Sequence, residues 1–298
     1  QLAEAFILDD TGIGYDLYCI GWETLEGEAD CPHAHLSRLL DAQLVYVQDQ
    51  AAVRRFEGLK KKAADLLASD ERYQRARTAL ESAKKWYAEC CLTDSLSRVR
   101  TCAGAAAHFL MDAIMLYHGR YFKKGVKRTF EELEQLPIPF DLKEYVLDVI
   151  RAETAAEIRN RLTELMRTAQ DRLPFPQREK AVPSQESLSG TYEEMVSNWR
   201  SKMTEAAERE DLFSSFMNMV SFQFMLHEIA EDTAVDDIEV MDGFDPRRLE
   251  ENSAAFDRAL DRYLEAYRKA GIQPKRFADA DDFLAYYKAK GNSSPADG

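Results

Sequence analysis

Between Asp70 and Leu116 the apolar residues keep a helical spacing in two successive runs. Tyr73, Ala76, Leu80, Ala83, Tyr87 and Cys90 step by three and four, and behind Asp94 the pattern resumes through Leu96, Val99, Cys102, Ala106, Phe109, Ala113 and Leu116. Such spacing lines one face of each helix with apolar side chains. A third stripe, Val53, Phe56, Leu59, Ala63 and Leu66, comes before them behind Asp49. Asp49, Asp70 and Asp94 are placed as caps. Each stripe must be buried against another, so three in succession demand a helical bundle.

The same logic extends toward the C-terminus. Thr129 with Glu132, Thr154 with Glu157 and Thr191 with Glu194 read as capping boxes, in which each side chain satisfies an otherwise unpaired backbone N–H. Pro137 and Pro139 interrupt the first of these helices, and Pro174 and Pro176 end the second region. Residues 174–190, PFPQREKAVPSQESLSG, read as a linker and a domain boundary. Beyond it, Tyr192, Met195, Trp199 and Met203 share one helix face, and Leu212 to Ile229 is apolar nearly all round, which predicts a central, buried helix. An acidic loop from Thr233 to Pro246 leads to a helix carrying Phe256, Leu260, Tyr263 and Tyr267, ended by Gly271 and Pro274. A short helix around Phe283 to Tyr287 precedes a tail, residues 291–298, expected to be disordered.

Only the first fifty residues read differently. Phe6 to Asp9 predicts a strand, Asp10-Thr11-Gly12 a turn, and Ile13 to Trp22 the returning strand; Leu44 to Val47 predicts a third. Between them Cys31-Pro32-His33-Ala34-His35 reads as a loop into a short helix at Leu36 to Leu40. Asp16 interrupts the returning strand between Tyr15 and Leu17. A sheet tolerates a carboxylate there when it faces a site or water instead of packing. The fold class is therefore α+β and predominantly α-helical.

Charge narrows the partners. The 298 residues carry 39 basic and 53 acidic side chains, a net charge of -14, which disfavours bulk nucleic-acid or anionic-membrane binding. No apolar run approaches the roughly 18 residues of a membrane span. Five cysteines without a repeated C-x-x-C spacing indicate neither a disulfide framework nor a zinc site, and fit a reducing cytoplasm. The chain begins at Gln1 without a methionine, so its N-terminal unit is expected to be incomplete.

The strand Gly14-Tyr15-Asp16-Leu17-Tyr18 with Ile20-Gly21-Trp22-Glu23, the phrase Leu44-Val45-Tyr46 with Asp49 after it, and the later runs Gly119 to Gly125 and Ser197 to Met203 together resemble the nucleotidyltransferase superfamily, nearest its aminoglycoside nucleotidyltransferase branch. The resemblance implies a partial mixed β-sheet over 1–50, a helical bundle of substrate-binding or HEPN-like type over 51–175, and a C-terminal helical domain over 176–290. It also implies transfer of a nucleoside monophosphate from a Mg2+-bound nucleoside triphosphate to a hydroxyl of a small, aminoglycoside-like acceptor. Three carboxylates hold the metal in that chemistry. Asp16 matches the third, as metal ligand or general base. The first two, in a Gly-Ser motif followed by Asp-x-Asp, do not occur in these residues. The chain by itself is therefore expected to be inactive. The rival expectation is a non-catalytic helical protein that binds a partner protein or RNA.

Arg120, Lys123, Lys124, Lys127 and Arg128 concentrate positive charge in an acidic chain. They either wrap an anion such as a triphosphate tail or form a solvated loop. Asn198, Arg200 and Lys202 are a weaker, substrate-facing candidate or a polar helix face. Cys31, His33 and His35 have ligand-type side chains; His108 with Asp112, and His227 with Glu231, stand one helical turn apart and read as local hydrogen bonds. Asp237-Ile238-Glu239 repeats an acid-apolar-acid pattern without the glycine turn, and reads as a solvated loop.

Overall fold

The computed structural model describes residues 2–8, 13–176 and 179–291, with side chains from Cys19 to Ala289. The predicted turn at Asp10 to Gly12 and the tail after residue 291 lie outside the described residues. The chain divides into two compact units, Gln1–Pro176 and Gln177–Gly298.

The first unit opens with β1 (Leu2–Leu8) and β2 (Ile13–Cys19), paired antiparallel with Leu2 opposite Cys19 and Ala5 opposite Asp16. Among the described residues this sheet has two strands, so no mixed sheet is formed there. Leu44 to Val47 is irregular, with Val45 and Tyr46 almost fully exposed, and the return strand stops before Trp22, which instead begins a helix. That correction has a local cause: Gly21 sits in extended conformation at the N-cap and Glu23 follows in the first turn, where a carboxylate suits the helix dipole.

The helices of this unit are α1 (Trp22–Ala29), α2 (Ser37–Leu40), α3 (Gln50–Ala68), α4 (Glu71–Cys91), α5 (Leu96–Tyr117), α6 (Thr129–Leu133), α7 (Leu142–Arg151) and α8 (Ala155–Arg172). The most extensive packing joins α4 to α5. Alanines dominate their buried faces, Ala76, Ala79 and Ala83 on α4 and Ala103, Ala106, Ala107 and Ala113 on α5, and such short side chains let two helix backbones come close. Toward its C-terminus α5 is buried from Asp112 to Leu116 without interruption. Among the described residues it is the one helix long and apolar enough to cross a membrane, yet 61% of its most apolar window is buried inside the bundle.

Residues 22–40 do not form a separate domain. Ala29, Cys31, Ala34, Leu36 and Leu39 are fully buried in the same core as α3 to α8. Arg55 of α3 clamps α1 by stacking over Trp22 at 4.6 Å and pairing with Glu26. Helix ends also differ from expectation. Asp49 caps α3 and the Thr154/Glu157 box caps α8. Asp94 instead pairs with Arg159, whose guanidinium also takes the free carbonyl of Cys90 at the end of α4. Thr129 is already helical and makes no box; Glu132 is engaged elsewhere, as described below.

The second unit contains α9 (Gln185–Leu188), α10 (Thr191–Met195), α11 (Ser201–Glu208), α12 (Leu212–Asp232), α13 (Leu249–Lys269) and α14 (Ala280–Gly291). A π-turn over Val196–Arg200 carries α10 into α11. Its core gathers Phe222, Phe256, Tyr263 and Tyr267 with Met195, Met203 and Met219. Thr191 opens no capping box either; its hydroxyl contacts Leu188 O at 2.7 Å and Tyr263 Oη at 2.6 Å, while Ser184 and Ser187 form the box one helix earlier. Helix α12 is not buried all round. Met219, Phe222, Leu226 and Ile229 face the core, but Phe213 and Phe224 are 74% and 69% exposed.

Candidate functional site

The described features that can carry chemistry in the first unit gather at the exit of α5. His118 ends the helix and Gly119 follows with φ +63. The Gly119 N–H donates to Leu116 O at 2.9 Å and the Arg120 N–H to Met115 O at 2.8 Å, the two bonds of a Schellman C-cap. Only glycine fits here, since a Cβ would stand 2.3 Å from Leu67 O. The chain is thereby turned sharply, and residues 120–125 run back beside the helix end.

This turn sets the cationic run. The Lys123 and Lys124 N–H groups donate to Glu132 Oε2 and Oε1, both at 2.9 Å. The loop does wrap an anion, but it is a carboxylate of its own chain, and those two backbone donors are taken. Lys124 Nζ pairs with Glu131 at 3.2 Å, and Lys123 Nζ lies 5.1 Å over the Tyr121 ring. Arg120, Lys127 and Arg128 make no ion pair among the described residues and are exposed. Lys127 and Arg128 point into solvent from a 3-10 turn, whereas Arg120 lines a cavity of about 410 Å³ with Lys123, His118, Tyr121, Glu132 and Gln135. That volume lies within the range of small-molecule sites, about 300–1,000 Å³.

Two groups in this cavity, His118 and Tyr121, have shifted pKa values. Burial, then the neighbouring Arg72 charge, lowers the His118 pKa; its Nε2 is buried without a hydrogen-bond partner. Burial, assisted by the Asp41 carboxylate that accepts its proton at 2.8 Å, raises Tyr121 to about 12.

A second cluster adjoins the loop through Phe122, whose N–H donates to Ala34 O at 2.8 Å. There the ring of His35 stacks on Phe122 at 5.0 Å and on His108 at 5.1 Å. Both imidazoles look toward Asp112, His35 Nε2 at 3.3 Å from Oδ1 and His108 Nε2 at 4.0 Å from Oδ2. Asp112 is 1% exposed, and neither carboxylate oxygen receives a well-directed hydrogen bond. The contact with Asp112 raises the pKa of His35, whereas burial lowers that of His33. Cys31 has no part in this group. With φ +51 it turns into the core, its thiol donates to Ala63 O at 3.7 Å, and burial raises it to about 11.

The remaining candidates are dispersed. Asp16 lies mid-strand in β2 opposite Ala5; its side chain is outside the described residues. Asn198, Arg200 and Lys202 belong to the second unit, where Arg200 Nε is engaged by Asp257 at 3.0 Å and Lys202 is exposed. The sequence around Asp237 is more than a solvated loop. Ile238 is buried, while Asp237 and Glu239 flank His227, with Asp237 Oδ1 3.0 Å from Nδ1 and Glu239 Oε1 3.7 Å from Nε2. The expected partner of His227, Glu231, is not the one it uses. The buried Gln223 holds this segment in place, donating to Ile238 O and accepting from the Val240 and Met241 N–H groups. Neither Gln223 nor His118 was singled out by sequence; a glutamine within an otherwise apolar helix was the one available signal for the former.

Set against models of known protein families, curated proteins and solved structures, the chain matches none. Function therefore rests on the site itself.

Proposed function

We propose that the chain is the bundle-bearing part of a nucleotidyl-transfer protein, in which a nucleoside monophosphate passes from a nucleoside triphosphate to a hydroxyl of a small, aminoglycoside-like acceptor. What carries the reading is the Arg120 cavity. It combines an arginine free of ion pairs, a lysine, a histidine whose buried Nε2 has no partner and a half-buried tyrosine in a space of nucleotide-fragment size. Arg120 and Lys123 would neutralise the phosphate tail, as charge-assisted bonds to phosphate require. Lys127 and Lys124 would add to the attracting field. Lys124 does so less, because Glu131 already compensates it.

In this reading Asp16, on the β1–β2 hairpin, would be one of three carboxylates, the others coming from a Gly-Ser and Asp-x-Asp segment. Mg2+ would supply charge neutralisation at the phosphates. The described cation-competent groups, His35 with His108 and Asp112, and His227 with Asp237 and Glu239, do not fit it, because Mg2+ prefers oxygen donors. Acceptor recognition would fall to Asn198, Arg200 and Lys202; Asn198 donates to Glu194 Oε1 at 3.5 Å and Arg200 is held by Asp257, which leaves the exposed Lys202 the most available of the three. The acidic surface suits a cationic acceptor, and free cysteines suit a reducing cytoplasm.

Nucleotide binding tests the reading without requiring turnover. Equilibrium titration with ATP and GTP in Mg2+ should show saturable binding that weakens about tenfold or more in Arg120→Ala, the loss of one charged hydrogen bond. Absence of binding, or binding indifferent to Arg120 and Lys123, would sink it.

One observation favours a second reading, a docking protein. Leu212, Phe213, Phe216, Met217 and Phe224 leave an apolar surface on α12, which a partner protein would cover. The net charge disfavours RNA in that role.

A further inference from the structure

We infer that His35, His108 and Asp112 form a binding site for a divalent transition-metal ion of the Zn2+ type, distinct from any Mg2+ of nucleotidyl transfer and independent of that proposal.

Asp112 is the anchor of the site. A carboxylate that is 1% exposed and lacks a well-directed hydrogen bond is expensive to keep ionised unless a cation faces it. The groups facing it are two imidazoles, and both present Nε2 to it. The backbone makes the arrangement: His108 and Asp112 are one helical turn apart on α5, and the loop before α2 is fixed against α5 by its buried neighbours Ala34 and Leu36 and by the Phe122–Ala34 hydrogen bond. The His35 ring is held by its stacking on Phe122 and on His108, so little is left to order on binding.

Distances fit a metal ion. The three ligand atoms lie within 4.8 Å of one another. Two ligands each about 2.1 Å from an ion span at most about 4.2 Å, so only a small rotation is needed. The imidazoles can supply it, being 44% and 51% exposed, and the same exposure gives the ion an entry path. Two nitrogens and one carboxylate oxygen are the donor set of zinc, cobalt, nickel or iron, and a poor one for Mg2+ or Ca2+. Three protein ligands leave an open position, as in catalytic and not purely structural sites. The ion would pin the segment before α2 to the exit of α5, beside the Arg120 loop.

The test uses the full chain, stripped of metal, titrated with Co2+ and then with Zn2+. One equivalent of Co2+ should bind with the visible d–d absorption of a low-symmetry nitrogen/oxygen site, and Zn2+ should displace it. His108→Ala, His35→Ala and Asp112→Asn should each weaken binding by more than about tenfold, since even outer-sphere partners of a metal site are worth about 10–100-fold. His227→Ala, in the other His/carboxylate group, should bind as the parent does. Far-UV circular dichroism checks that each variant is folded; Asp112→Asn is isosteric, and both histidines lie at the surface. Absence of bound Co2+, binding unchanged in the folded Asp112→Asn and His108→Ala proteins, or binding lost in His227→Ala would each overturn the assignment. Asp112 would then simply be an ion-pair partner of His35.

Discussion

Glu132 Oε2 receives the backbone N–H of Lys123 at 2.9 Å, so the most cationic turn of the chain closes on an internal carboxylate. The bond organises the loop and also places a negative charge where an anionic ligand would be drawn. Glu132→Ala should cost about 1.5 kcal/mol of stability, the low end for charged hydrogen bonds because the contact is exposed. It should also tighten binding of tripolyphosphate. Weaker tripolyphosphate binding in a folded variant would show that the carboxylate shapes the loop and does not compete with a ligand.

Gly119 and Gly104 make a matched pair on and beyond one helix. Gly119 has φ +63 and a backbone oxygen where its Cβ would go, while Gly104 lies within α5 with open space around it. Gly119→Ala should destabilise the first unit by about 2 kcal/mol or more from the left-handed backbone alone. For a unit of this size that is roughly 4–8 °C in Tm. Gly104→Ala should instead stabilise by about 0.5–1 kcal/mol. Calorimetry of the two variants decides it, and equal signs would refute the account.

His118 gives a pH dependence of defined sign. Its folded-state pKa is depressed below 6.5 by burial and by Arg72. The unfolded chain therefore takes up a proton first as the solution is acidified. Stability from this group is present above pH 6.5 and is lost as pH falls through the folded value. Urea unfolding of the parent and of His118→Gln between pH 7.5 and 5 should show a steeper acid loss in the parent; parallel curves would contradict it.

Gln223 satisfies three backbone groups of residues 238–241 from inside α12. Gln223→Ala leaves them buried and unpaired, at about 2–4 kcal/mol. The second unit should unfold earlier in denaturant while the first keeps its transition. Hydrogen exchange at Val240 reports the same loss locally, and unaltered protection there would disprove the role.

How much could be read beforehand follows from the range of each interaction. Helices α3, α4 and α5 were legible because a stripe is a property of adjacent residues. The Thr154 box was legible for the same reason, since its partners are three apart. Thr129 and Thr191 failed the same rule because Glu132 is taken by the Lys123 and Lys124 N–H groups, and the Thr191 hydroxyl by Leu188 O and Tyr263 Oη. The strand at Leu44 failed because β-type residues form a strand only where another strand pairs with them. For the site, Arg120 and Lys123 were visible as charge, but Glu132 was visible only as a cap. His35 was grouped with Cys31 by sequence proximity; the fold turns Cys31 inward and carries His35 to a residue pair on α5. Such meetings depend on how a loop packs, which no local spacing encodes.

The two neighbouring thiols at the end of α4 have opposite fates. Cys90 is buried, bonded to Val99 O at 3.7 Å and raised to about 11, whereas Cys91 is exposed. Maleimide dyes react with thiolates, so they should attach at Cys91 and Cys19 and spare the three buried cysteines. The native chain thus offers two attachment points, one on the hairpin and one on the bundle, between which a fluorescence distance can be read without introducing a single new cysteine.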